Sequence, residues 1–457
     1  MSAETTADEA ADLPARPDAP TDVRRVSVML GVLFGLAGMG SAAAALALAP
    51  LADAYGVGEG AAAWSISLYA LMLGVGTAVY GRIADLTGPR MPMVIGLSLM
   101  TFGALVASLA PTFEVHLAGR LFQGAGAAAV PTLGAAVVTA RYAGEVKSAA
   151  LLRLAAVAAC VTSLGPLAAG LLIHSFSWRF AIALPILGVL VVPALWHALH
   201  VGGTGARLDV IGAVLTALAA GGVVLVLQSP STGLPVALAG ILLVVLGTPA
   251  VMLRVRRRPH GFLPLAVIRN PYVVRSALAA AAIPASWFAL LVAMPAVLLG
   301  VGWEPWQVGL ALVPSGLLGL FMPRVTGPVM ARVTSATALM FAAGTAAVSL
   351  LVASLGAQLE SALVLVVAVA FVTVAFGIGQ PALSASVAEA VEDDVRGVAL
   401  GVATLMFMVG GSLGSAVVGG LGHTIGMAAA LLCVVALPLL GLLLLIPNLR
   451  QAPEPTA

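Results

Sequence analysis

The chain has 457 residues, of which 61% are hydrophobic and 9% charged, with a mean hydropathy of +1.10; a soluble domain is roughly 25% charged. A chain this apolar is built to sit in lipid, which excludes a soluble protein. The net charge of +2 says little by itself, because in such a chain the position of each charge carries the information; no nucleic-acid partner is expected.

The first 25 residues, "MSAETTADEAADLPARPDAPTDVRR", are acidic, proline-bearing and poor in bulky apolar groups, so they read as a loose tail. The apolar run from Val26 is too long for the h-region of a signal peptide and lacks a basic start or cleavage site. It is the first span. From there the chain offers fourteen runs near the 20 apolar residues needed to cross about 30 Å of hydrocarbon. They cover 26–49, 61–80, 91–110, 117–140, 149–173, 180–199, 208–227, 234–253, 273–300, 306–323, 334–355, 361–383, 397–420 and 425–446. Lipid offers the backbone no hydrogen-bond partner, so each run is a helix.

Charge placement tests the count. With the amino terminus on the cytoplasmic side, 19 of the 21 basic residues fall inside, leaving Arg179 outside and Arg120 within a span. Adding or removing one helix would invert every later loop and destroy this bias. Both chain ends are therefore expected in the cytoplasm, and one lysine among the 21 basic residues, with heavy Ala, Gly and Pro use, points to GC-rich coding and a bacterial inner membrane.

The loops repeat. "YGRIADLTGPRM" after the second span carries Gly81, then Asp85 four residues on, followed by Gly88 and Arg90; "TGPVMARVTS" after the tenth carries Gly327, then Ala331 four residues on, followed by Arg332. "SLGPLAAG" in the fifth span is matched by "GGSLGSAVVGG" in the thirteenth. The expected organisation is a cytoplasmic tail 1–25, a six-helix bundle 26–200, an inserted helix pair 201–253, a cytoplasmic linker 254–272, a second six-helix bundle 273–446 and a tail 447–457. Such a parallel duplication is expected of a transporter whose halves rock about a central site. Arg254 to Arg258 at the linker suit a stop at anionic headgroups.

On these residues the chain resembles the major facilitator superfamily. "GRIADLTGPR" resembles its signature loop, "RLFQGAGAA" its fourth-helix motif and "LGPLAAG" the fifth-helix motif of drug antiporters. Fourteen spans resemble the drug:proton antiporter subfamily of that size, and "GTAVYGRIADLTG", "RLFQGAGAAAVPTLGAAVVTARY" and "LDVIGAVL" resemble the Gram-positive tetracycline exporters. The resemblance implies the major facilitator fold. It further implies that the loop of Gly81, Asp85, Gly88 and Arg90 latches the two halves, and that Gly165, Pro166 and Gly170 bend the fifth helix in favour of export, although alanine stands at one motif position, Ala169. Physically, a carboxylate such as Asp85 can pair with Arg90, Gly88 permits a tight turn, and proline removes an amide from a membrane helix.

The fourth span raises the question of Arg120. From its depth the guanidinium could reach the headgroups along its own stem, or face a central cavity together with Gln123, three residues on and on the same face. The small residues Gly124 to Ala129 would let a neighbouring helix approach closely, with Pro131 and Gly134 permitting flexure. For a flat apolar ligand, Trp287, Phe288 and Met294 of the ninth span and Met406, Phe407 and Met408 of the thirteenth are the candidate pathway surface.

The tetracycline exporters carry carboxylates in the fifth and thirteenth helices, where this chain has Thr162, Ser163, Gly410 and Gly411. All 19 acidic residues fall in tails, loops or helix ends. Titrating groups for proton exchange are then Asp53, Glu59, His174 and His423 outside, or Asp85 inside. Cys160 and Cys433 read as small apolar fillers, and no metal site or cofactor is expected. A nucleotide-driven pump would need a phosphate loop, while the single lysine, Lys147, lies in "GEVKS". The expected function is export of small, largely apolar organic compounds of drug or antibiotic type by a monomer; uptake of a small solute and a non-transporting receptor or scaffold are the alternatives.

Overall fold

Fourteen helices long and apolar enough to cross a membrane run through the described residues. They are α1 (Val23–Leu46), α2 (Glu59–Gly81), α3 (Arg90–Leu109), α4 (Phe113–Arg141), α5 (Gly144–Ser175), α6 (Trp178–Leu195), α7 (Val210–Thr232), α8 (Leu234–Arg257), α9 (Pro271–Gly300), α10 (Pro305–Met330), α11 (Ser335–Gln358), α12 (Ala362–Ala390), α13 (Ala399–Ile425) and α14 (Met427–Arg450). The computed structural model describes residues 22–199, 209–259 and 261–451, and not the side chains of residues 82, 85, 86, 393–395, 397, 398 and 451. Most of both expected tails and of the 201–208 connection therefore lie outside the described residues.

Hydropathy and burial run in opposite directions, as lipid requires. α8, with mean hydropathy 2.5, has 6% of its most apolar window buried, whereas α2, at 1.6, has 72% buried. A helix facing hydrocarbon has no partner for a polar side chain, while an enclosed one can carry serines and a tyrosine. α4 is interrupted at Ala128 and α5 at Leu164, two residues before Pro166. α6 tightens into a 3₁₀ run over Leu184–Val191, with Pro185 near its start.

Within α1 to α6, α1 packs on α5 and α6, α3 on α4, and α2 on α4. The same pattern returns eight helices later, with α9 on α13 and α14, α11 on α12, and α10 on α12. α7 and α8 pack on one another, and α7 lies against both α2 and α13. The two six-helix groups meet along two seams, α2 with α13 and α5 with α10. An even number of spans returns both ends of the chain to one side, called here the near end; the other is the far end.

Some boundaries differ from the sequence expectation. α1 starts at Val23, inside the expected tail, because Asp22 is anchored: Arg141 Nη2 donates to its carboxylate at 2.6 Å and the Tyr142 hydroxyl at 3.0 Å. α8 continues to Arg257 and α14 past 447, so the arginines of the linker and the start of the last tail are helical. The linker itself forms a short helix, Leu265–Arg269. Cys160 and Cys433 are on the helix surface rather than inside the packing.

Candidate functional site

Arg120 lies two turns into α4 with no accessible surface. It therefore reaches neither the headgroups nor an open cavity, because neighbouring helices of its own group enclose it. Nε donates to the Ser65 carbonyl at 2.8 Å and Nη1 to Gln123 Oε1 at 2.5 Å, while the guanidinium carbon sits 4.3 Å above the Tyr69 ring. Gln123 in turn donates to the Ile182 carbonyl, and Tyr69 to the Ala37 carbonyl. α1, α2, α4 and α6 are thus tied through one cation, whose Nη2 has no hydrogen-bond partner among the described residues. A turn away, the Ser65 hydroxyl and His116 Nε2 lie 2.9 Å apart, with His116 Nδ1 2.8 Å from the Ala107 carbonyl.

The small residues around Arg120 make this nest possible. A Cβ on Gly124 would enter the Tyr69 backbone, and one on Gly119 or Gly126 would enter the backbone of α3 at Ala107 or Met100. These glycines let helix backbones touch, which sets the tyrosine ring directly under the guanidinium.

The two seams between the groups are built the same way. Along α5 and α10, Gly170 faces Pro305 and Trp306, Gly309 faces Pro166, and Gly316 faces Ser163, each without room for a Cβ. Along α2 and α13, Gly60 faces Gly419, the Ser67 and Ser415 hydroxyls are 3.0 Å apart, and Gly74 lies against Met408. At the near end the pattern stops among the described residues: of these, Gly81 would meet only Thr132 of its own group, and Gly327 and Gly401 would meet none within 4 Å. The groups are pressed together from the far end to mid-membrane.

A model of the Major Facilitator Superfamily matches residues 28–415. The chain belongs to that superfamily. With fourteen apolar helices among its described residues, it is a multi-pass membrane protein of the major facilitator type. It is 32% identical over 193 residues to Multidrug resistance protein Stp of Mycobacterium tuberculosis, covering 41% of this chain and 36% of that protein. It is 29% identical over 308 residues to the Lincomycin resistance protein of Streptomyces lincolnensis, covering 64% and 62%, and 26% identical over 251 residues to the Methylenomycin A resistance protein of Bacillus subtilis, covering 54% of each. The matched segments thus span about a third to three-fifths of these relatives' length. A POT family transporter crystallised with 5-aminolevulinic acid superposes with TM-score 0.68 at 14% identity over 95% of this chain and 96% of that one, a likeness of fold.

In this major facilitator chain the signature loop is partly visible. The α2 helix runs on beyond its apolar span to Thr87, and Gly88 ends it at φ 78°, a conformation that favours glycine; Gly81, within that helix, has ordinary space for a methyl group, its one described neighbour at 3.5 Å. Arg90 stacks 4.0 Å over the Trp196 ring; the Asp85 side chain lies outside the described residues. Pro166 sits just past the α5 interruption, Gly165 touches Met39 of α1, and Gly170 touches α10.

The apolar candidates are not gathered at an open surface. Phe288, Met294 and Phe407 are buried, while Trp287, Met406 and Met408 are partly covered. Trp287, Phe376 and Phe407 form a ring chain with centroids 6.3 and 5.3 Å apart, and Phe288 lies against Gly411. Of the acid and imidazole candidates, Asp53 is exposed on a short helix, Leu48–Tyr55. Glu59 stands 4.0 Å from His423, and His174 stands 3.6 Å from Glu304.

Sequence reading missed Tyr69, Ser65, Ser67, Ser415 and Glu304. The fourfold spacing of Ser65 and Tyr69 in "WSISLYA" was the available signal, placing both on one helical face. It also missed Asp209, which caps α7 through Gly212 N and accepts Arg254 through two nitrogens at 2.6 and 3.1 Å and Phe262 N at 3.2 Å. Burial works to raise that carboxyl, but the bonds from Arg254, Gly212 and Phe262 together hold it below the usual carboxylate range.

Proposed function

We propose that this transporter exports small, largely apolar organic compounds of drug or antibiotic type across a bacterial inner membrane, as a monomer with both chain ends in the cytoplasm. Two six-helix groups, 26–200 and 273–446, rock about their shared seams and expose one cleft alternately to either side. The observation that carries this reading is the one-sided contact between the groups: three backbone-level contacts along α5 and α10, and their counterparts along α2 and α13, all lie from mid-membrane to the far end. Near-end glycines that meet nothing of the opposite group among the described residues support a cleft facing the cytoplasm. The resistance proteins that this chain resembles support the substrate class.

In this reading Arg120 and Gln123 border the cleft when the groups separate, and Trp287, Phe288, Met294, Met406 and Met408 supply its adaptable apolar surface. Gly81, Asp85, Gly88 and Arg90 form the near-end latch; Gly165, Pro166 and Gly170 bend α5 against its seam. No acid lies at the middle of a span, so protons exchanged for substrate bind near the mouths, at Asp53, Glu59, His174, His423 or Asp85. The test is accumulation of a panel of apolar antibiotics in cells with and without the protein, repeated with the proton gradient collapsed. Lower accumulation that depends on the gradient supports the reading; higher accumulation with the protein present means uptake and refutes it.

A further inference from the structure

The two imidazole–carboxylate pairs at the far end occupy corresponding places in the repeat. Glu59 opens α2 and Glu304 precedes α10, the second helix of each group; His174 ends α5 and His423 ends α13, the fifth. Each pair crosses from one group to the other, His174 to Glu304 at 3.6 Å and His423 to Glu59 at 4.0 Å. A glycine stands four residues before each histidine, in "GLLIH" and "GGLGH". A Cβ on Gly170 would lie 2.5 Å from the Pro305 carbonyl oxygen, and the Gly419 carbonyl oxygen would lie 2.7 Å from a Cβ on Gly60. In both cases the glycine abuts the residue after the glutamate. One turn of helix then brings the imidazole level with the carboxylate. The same device, glycine contact plus histidine–glutamate pair, is built twice.

We propose that His174–Glu304 and His423–Glu59 are a duplicated proton-binding site whose occupation holds the far end closed. Imidazoles as a class change charge between pH 5 and 8. A protonated imidazole gains a carboxylate partner only when the groups meet at the far end, so closure takes up protons and acid on that side favours closure. As pH rises the imidazolium is lost, the ionic part of each contact goes with it, and opening becomes easier. This gating is separate from coupling: a proton that binds and leaves on the far face alone does no work across the membrane, and one taken up at Glu59, His174 or His423 drives export only when it is released at the near end. The device sets how the outer mouth responds to external acidity, whichever group carries the coupling proton. It rests on the reading that the far end is extracellular.

The surroundings leave these pairs as the responsive groups. The Glu59–His423 pair borders a water-sized hollow of about 20 Å³ lined otherwise by Ala45, Leu48, Ala49 and uncharged residues of α9, α13 and α14, and the facing residue of α7 is Ser231. Beside His174, the cation of the adjoining helix is Arg179, whose guanidinium donates to the Ser108 and Ala110 carbonyls. The remaining far-end charges are Asp53, Glu114 and Glu360, all carboxylates, and His116 is enclosed. The paired side chains are 44% to 57% exposed, so each pair is a weak contact. Together they would shift the closed-to-open ratio about two- to twentyfold.

The test reads conformation rather than transport. Spin labels on Leu109→Cys and Leu359→Cys, exposed at the far ends of α3 and α11, in a Cys160→Ser, Cys433→Ser background, report far-end separation in the full chain in lipid nanodiscs. The short-distance population is expected to grow as pH falls from 8 to 5. In H174Q/H423Q it should be flat over the same range, and in H174R/H423R it should stay high throughout. A parent distribution that does not change between pH 8 and 5, or a glutamine variant that retains the change, overturns the proposal. Loss of export with the pH-dependent distances intact would refute the exporter reading alone.

Discussion

The guanidinium carbon of Arg120 lies over the ring of Tyr69, 4.3 Å from its centroid, with no carboxylate bonded to it among the described residues. The ring face, two oxygen acceptors and enclosure by four helices together stand in for a counter-ion. Tyr69→Phe keeps the ring and loses the bond to the Ala37 carbonyl, so it is expected to cost about 1 kcal/mol. Tyr69→Leu removes the ring as well and should cost about 2 kcal/mol more. Thermal unfolding in detergent micelles checks the order; equal loss in both variants would assign the effect to the hydroxyl.

Arg120→Lys keeps the charge but cannot span Ser65, Gln123 and the ring face at once. It is expected to lower both unfolding temperature and export; Gln123→Glu gives the cation a formal partner but sets a carboxylate oxygen against the Ile182 carbonyl, so it should lower the unfolding temperature less than Arg120→Lys does. Melting curves of the two variants side by side test this.

The glycine contacts predict opposite outcomes at the two ends. A Cβ on Gly414 would enter the Ala285 backbone within one group, so Gly414→Val should destabilise the fold by about 3 kcal/mol. Gly316→Val, on the seam with Ser163, should leave each group folded and instead part the seam, read as a larger far-end distance between labels. Gly327→Ala and Gly401→Ala meet nothing within 4 Å and should be neutral or stabilising by up to about 1 kcal/mol.

The spans were legible because each is a long apolar run, and a run of that kind has one solution in lipid. Their ends were less so: Val23 to Arg25 look like tail until Asp22 is seen to hold Arg141 and Tyr142, a contact 119 residues away in sequence. Arg120 stood out as a lone charge, and its neighbour Gln123 followed from spacing. Its ring partner did not, because Tyr69 and Arg120 are joined through Gly124, whose missing side chain carries no sign of which helix it admits. The far-end pairs were visible singly as Glu59, His174 and His423; Glu304 and the pairing itself required the helices to be placed.

Proton exchange near the mouths has its own consequence. A variant with Asp53, Glu59, Asp85, His174 and His423 all neutralised should retain binding of apolar compounds yet lose the dependence of export on the proton gradient. Accumulation measured with and without a protonophore reads this directly, and unchanged gradient dependence would remove all five from the coupling mechanism.

Asp209 fixes how the linker leaves the inserted helices. Its native carboxyl lies below the usual range despite partial burial, because Arg254, Gly212 and Phe262 all bond the charged form. A carboxyl lowered in the native state contributes stability that is fully present above its unfolded value, 3.8, and is lost as pH falls through the native one. Protection of the Gly261–Leu265 amides from hydrogen exchange, corrected for intrinsic rates, should therefore be constant from pH 8 to 5 and fall only in stronger acid. Asp209→Asn keeps the capping oxygen for Gly212 but loses the ion pair with Arg254, so its linker amides should exchange faster at every pH in that window. If the wild-type linker loosened between pH 7 and 5, a group other than Asp209 would hold it, and the arginines at 256 to 258 would owe their position to the lipid surface alone.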